Sequence, residues 1–98
     1  MDTPRIEHLA ERQRYALVVD DGTVIGFAAY RDSGEQRDFH HTEVDDAYTG
    51  RRLATRLIEY AVGDTRAQGK RIVGSCPMVA AWLGKHPEFD EFVDHPGA

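Results

Sequence analysis

Three groups of residues in this chain have types and spacings that could do chemistry. The first is Gly50-Arg51-Arg52-Leu53-Ala54-Thr55, where a polar loop runs into apolar residues at helical spacing. The first amides of a helix lack intrahelical acceptors and carry partial positive charge. Two guanidiniums beside them suit phosphate oxygens, and Thr55 adds a hydroxyl. Together they make a competent pyrophosphate cradle. The same residues also read as two arginines solvating a helix end, although cations there oppose the macrodipole. The glycine-lysine-hydroxyl signature of a nucleotide-binding P-loop is missing.

The second group is Cys76-Pro77, at the carboxyl end of a short apolar strand. Ligands of open mixed sheets bind beyond such strand ends, and a thiol near a helix N-terminus is activated as a nucleophile or acid. A free cysteine is equally a small core residue. The third group is His41 with Glu43, two apart on one strand face. A histidine oriented by a carboxylate can serve as a general base. The same spacing also describes an ordinary ion pair on a half-exposed sheet.

The elements that must position these groups can be read from periodicity. Residues 1–13 are polar and read as a loosely ordered or extended lead-in. Arg14 to Asp20 alternates as a strand, and Asp21-Gly22 signals a type I′ hairpin turn into a second strand, Thr23 to Arg31. The third strand is Gln36 to Val44. Regular alternation places Phe39, His41 and Glu43 on one face and His40, Thr42 and Val44 on the other. From Arg51 to Gly69 the period becomes helical, with Leu53, Ala54, Leu57, Ile58, Ala61 and Val62 as the apolar stripe. Arg71 to Ser75 is a fourth strand, expected parallel to the third across the helix. Pro77 opens a second helix over Met78 to Lys85, and Glu88 to Val93 forms a final turn. Trp82, Phe89, Phe92, Tyr60 and Phe27 are expected in the core. The order βββαβα gives an α+β fold with a mixed, mainly antiparallel sheet.

At 98 residues, the chain has room for one domain, 1–98, with a thin core. A net charge of −5 argues against non-specific nucleic-acid binding, which needs a basic footprint. No apolar run reaches the ~20 residues of a membrane span, and the N-terminus lacks a signal-peptide core. One cysteine cannot form an internal disulfide, so a reduced, cytoplasmic setting is expected. The five histidines show no metal-ligand spacing. Asp45, Asp46, Asp90, Glu91 and Asp94 read as solvated surface, or as a field attracting a cationic amine.

The segments His41-Thr-Glu-Val44, Gly50-Arg-Arg-Leu-Ala-Thr55 and Cys76-Pro-Met-Val…His86-Pro87 resemble the very small acetyltransferase-like members of the GNAT superfamily. The resemblance runs from about Tyr15 to Val93. It implies the acyl-CoA N-acyltransferase fold and acetyl transfer from acetyl-CoA to an amine, without a metal. In that superfamily a loop opening the long helix holds the CoA pyrophosphate on its amides. The matching stretch is Thr49 to Ala54, with Thr49 departing at the first position and Arg52 standing where the first motif glycine is expected. The resemblance assigns Glu43, Val44, Gly50, Arg51, Arg52, Leu53, Ala54 and Thr55 to cofactor binding. Cys76 becomes the candidate catalytic thiol and His41 the candidate base. The chain lacks the flanking elements that enclose an acceptor in larger relatives, so a protein or peptide amine suits an open acceptor site. The same fold without efficient catalysis would be a CoA-binding module or a protein-interaction domain.

Overall fold

A computed structural model of the chain describes residues 4–48 and 52–95. Its strands are β1 (Arg5–Leu9), β2 (Arg14–Val18), β3 (Val24–Ser33), β4 (Gln36–Val44), β5 (Arg71–Gly74) and β6 (Val93–Asp94). They form one sheet in the order β1-β2-β3-β4-β5-β6. The first four strands are antiparallel neighbours. β5 lies parallel to β4, as the strand–helix–strand reading requires, and β6 parallel to β5. The helices are α1 (Leu53–Ala67) and α2 (Pro77–Gly84).

The expected βββαβα order is extended at both sheet edges. The lead-in contains β1, whose Ile6 pairs with Leu17 and His8 with Tyr15. Its polar composition suits an edge strand, which has a neighbour on one side only. The final turn is a short 3-10 helix, Pro87–Phe92, that runs directly into the two residues of β6. The β2–β3 connection is not type I′, which needs positive φ at both central residues. The Gly22 amide bonds back to the Val19 carbonyl, and positive φ falls on Gly22 alone in this turn.

The stripe on α1 is buried at Leu53, Leu57, Ile58, Ala61 and Val62, and Ala54 sits half-buried at its edge. It packs on Tyr15, Leu17, Ala28, Tyr30, Phe39 and Ile72 of the sheet, with Val79, Trp82 and Leu83 of α2 beside it. Each such fully buried aliphatic side chain contributes about 1.5–3 kcal/mol. Tyr60 was expected inside but stands 48% exposed at the helix flank, and Phe27 is half-buried. The helix ends two residues before Gly69. There the amides of Gly69 and Lys70 bond to the carbonyls of Arg66 and Thr65, and Gly69 takes φ of 75°. This is the Schellman arrangement for which glycine is preferred.

One polar cluster ties five elements together. Arg37 on β4 is buried, and its Nε and Nη2 donate to Asp32 at 2.8 and 3.1 Å. Its Nη1 donates to the Tyr15 hydroxyl at 2.8 Å, which in turn donates to Asp64 of α1 at 2.6 Å. The guanidinium lies 4.1 Å from the centre of the Tyr30 ring. His8 of β1 stacks on Tyr15 and places Nε2 2.6 Å from the Tyr30 hydroxyl. A buried charge without partners would be strongly destabilising, so these groups are mutually dependent.

Burial, and then the Arg37 charge, lower the His8 pKa from its ordinary 6.5, against smaller opposing effects of Asp64 and Asp32. The unfolded chain therefore binds the His8 proton more readily. Stability should fall as pH drops below about 6.5, in a window above the acid loss expected from Asp32, whose pKa is lowered chiefly by its hydrogen bond from Arg37. In His8→Gln the decline in thermal midpoint between pH 7 and 5 should flatten. Identical slopes for both proteins would exclude His8 as its source.

Candidate functional site

β4 and β5 run together only from Gln36↔Arg71 to Phe39↔Gly74. One further rung joins them, with the Cys76 amide donating to the Phe39 carbonyl at 2.8 Å. Pro77, which has no amide hydrogen, then starts α2 and carries the chain away. β4 continues on β3 as far as Gly26↔Val44. The Asp45 amide donates to the Ile25 carbonyl at 2.7 Å, which makes Gly26↔Val44 a non-hydrogen-bonded pair. The main-chain groups of Val44, and of Thr42 two residues back, therefore point away from β3 into the space β5 has left.

That space is a cleft of about 370 Å³, within the usual range of ligand pockets. β4 supplies Thr42, Glu43 and Val44 as one wall. Arg52, Leu53 and Ala54 at the start of α1 form the opposite end, with Tyr48 and Met78 completing it. A second groove of about 310 Å³ shares Ala54 and Met78 with the cleft and extends past Thr55 to Trp82, Lys85 and His86.

The regular alternation expected along β4 is broken by a bulge. Ala29 pairs with His41 and Tyr30 with Phe39, which leaves His40 without an opposite residue. A bulge of this kind shifts the face of everything beyond it. Phe39 and Thr42 thus share the buried face, at 0% and 7% exposure, instead of alternating. His41 and Glu43 turn to the other face and are exposed, with Nε2 and Oε1 3.6 Å apart. His41 lies against Phe27, over which the Arg14 guanidinium packs at 4.4 Å.

Cys76 is buried, and its Sγ donates to Thr42 Oγ1 at 3.6 Å. It contacts Thr42 and is not among the residues that line the cleft. Because His41 and Thr42 are consecutive in a strand, their side chains face opposite ways. The structure therefore does not bring Cys76 and His41 together.

Arg52 caps α1 with φ of 58° and ψ of 23°, the left-handed region. That conformation costs a non-glycine residue about 1–2 kcal/mol. It also explains why the superfamily pattern has glycine at this position. The helical bond from the Arg56 amide reaches the Arg52 carbonyl, and the Arg52 side chain makes no capping bond. The amides of Leu53, Ala54 and Thr55 thus lack intrahelical acceptors. The Leu53 side chain is buried, Ala54 lines the cleft, and Thr55 is exposed toward the second groove. Glu43 lines the cleft, but its main chain pairs with Phe27 of β3 and its carboxylate lies 3.6 Å from His41. Gly50 and Arg51 lie outside the described residues.

Thr42, Tyr48 and Met78 were not among the residues expected to bind. Thr42 was hidden by the bulge, which no residue type at His40 announces. Met78 directly follows Pro77 in the first turn of α2, a place that periodicity alone leaves as surface.

The profile of the GCN5-related N-acetyl-transferase family matches residues 14–92. The chain belongs to this family. Membership places it among acetyltransferases in general terms. A GCN5-like protein of Staphylococcus aureus, named as a candidate N-acetyltransferase and solved by NMR in solution, superposes with a TM-score of 0.71. The match covers 93% of this chain and 88% of that one at 18% identity, which shows a shared fold. No curated protein sequence matches this chain. None of the described helices is long and apolar enough to cross a membrane, and no group of potential metal ligands occurs among the described residues.

The cleft wall depends on Gly26. A Cβ there would lie 2.8 Å from the Glu43 carbonyl oxygen and 3.1 Å from Val44 Cγ2. Gly26→Ala should therefore destabilise the protein by about 1–3 kcal/mol, the usual cost of overpacking. Urea unfolding measures this. An unchanged midpoint would show that β4 yields freely at the cleft.

Proposed function

We propose that this protein transfers an acetyl group from acetyl-CoA to an amine. The observation that carries this reading is the divergence of β4 from β5 opposite the uncapped start of α1. The outward main-chain groups of Thr42 and Val44 suit the two amides of a pantetheine arm, which would add to β4 as a short strand does. The free amides of Leu53 to Thr55 and the Arg52 guanidinium suit the pyrophosphate. Arg52 forms no ion pair with another described residue. The second groove provides a path for the rest of the cofactor toward Lys85. Gly50 and Arg51 remain candidates for the same loop by their place in the motif.

Bound acetyl-CoA supplies an activated thioester. An amine approaching from the exposed face of β4 would meet His41. Its nitrogen would bond to the acyl carbon as the carbon–sulfur bond breaks, and the amine proton would pass to His41. Glu43, 3.6 Å away, would hold the imidazole in place. The leaving thiolate would take a proton from solvent. A relay through Cys76 would need a base at Sγ, whose partner here is the Thr42 hydroxyl. Direct attack is therefore the better-supported route.

The reading is tested first by amide NMR during titration with acetyl-CoA. Resonances of Thr42, Val44, Arg52 to Thr55 and Met78 should move. A spectrum unmoved at millimolar ligand would defeat the proposal. Arg52→Gly should bind acetyl-CoA several-fold more weakly yet unfold no more easily, since glycine relieves the left-handed strain. With an amine acceptor in hand, His41→Ala should lower kcat by roughly 10²–10⁴-fold and by more than Cys76→Ala does. The reverse ranking would favour the cysteine relay.

A further inference from the structure

The end of the cleft nearest the β4–β5 junction bears on what can be attached to the cofactor thiol, and this inference rests on the acetyl-CoA reading above. We propose that Thr42, backed by Cys76, is the residue that limits the donor to short acyl groups. Thr42 is the last β4 residue on the cleft wall before the strands converge. Its hydroxyl accepts from Cys76 Sγ at 3.6 Å, and both side chains are more than nine-tenths buried.

Cys76 is held in place. The Cys76 amide is tied to Phe39 and its carbonyl to the Ala80 amide, so its backbone is fixed from both sides. Cys76 belongs to the same core cluster as Phe39 and Val79, at 0% and 1% exposure. Interiors packed at this density do not make space for added methylenes without strain. An acyl chain entering along β4 from the Arg52 end therefore meets Thr42 first and the Cys76 sulfur immediately behind it. The buried thiol thus has a steric role in this arrangement, and removing Sγ lengthens the cleft.

The test compares the binding of CoA, acetyl-CoA, butyryl-CoA and hexanoyl-CoA by calorimetry, in the intact protein, in Cys76→Ala and in Thr42→Ser. CoA carries no acyl group and reports on the site alone. In the intact protein butyryl-CoA should bind at least ~10-fold more weakly than acetyl-CoA, the lower end of the discrimination available from a methylene in a tight pocket. In Cys76→Ala the butyryl-to-acetyl ratio should rise toward unity, while hexanoyl-CoA stays excluded. Thr42→Ser, which removes one methyl group and keeps the hydroxyl, should move the ratio in the same direction even if Cys76→Ala folds poorly. If hexanoyl-CoA binds the intact protein as tightly as acetyl-CoA, the inference is overturned while the acetyl-CoA reading stands. An unchanged ratio in both folded variants overturns it as well. Failure of CoA itself to bind the intact protein would remove the underlying reading together with this inference.

Discussion

Among the described residues, the hydrogen bond from the Cys76 amide to the Phe39 carbonyl is the last main-chain bond between β4 and the chain leaving β5. Everything of chemical interest in this protein follows from its being the last. Before it, two parallel strands are zipped and buried. After it, β4 goes on alone and the following chain is turned away by Pro77. A sheet that parts in this way exposes main-chain donors and acceptors inside the molecule without leaving them in a dry core. Such groups cannot remain both buried and unpaired without cost. A cleft open to water, and to a ligand with its own amides, resolves that conflict.

The parting needs a rigid frame on the closed side. Arg37 provides much of it, because one guanidinium reaches Asp32 and Tyr15 directly and Asp64 through the Tyr15 hydroxyl. It thereby couples β2, β3, β4 and α1 at the end of the sheet away from the cleft. His8 adds β1 to the same cluster through Tyr15 and Tyr30. The two ends of β4 therefore have opposite characters. One is held by charge-assisted hydrogen bonds and the other is left open on one edge. The bulge at His40 sits between them and decides which side chains look into the core and which look out.

That division also separates the two residues that chemistry alone would pair. The thiol of Cys76 belongs to the buried side of β4, in contact with Thr42. The imidazole of His41 belongs to the exposed side, with Glu43. In so small a protein a single strand serves two faces, one lining the cleft and the other open to solvent.

Much of the architecture was legible in the residues. The β4 limits, the parallel return through α1, the proline-led start of α2 and the glycine stop of α1 all follow from local chemistry, which acts within a turn or a strand pair. The apolar stripe of α1 was also readable, since burial on one helix face imposes its period on the composition. The edge strands β1 and β6 were less so, because an edge strand with polar residues resembles a loop until its neighbour is known. The site was partly legible. Arg52 and Ala54 belong to a recognisable loop, and the structure adds that position 52 is left-handed. Thr42, the exposure of His41 and its separation from Cys76 were decided by tertiary structure alone. A bulge is set by how two strands must twist and pair across the sheet, and the residue that is skipped carries no mark of it. The sequence determines which groups are available for chemistry. Which of them share a face depends on contacts between strands distant in the chain, and only the folded sheet contains those.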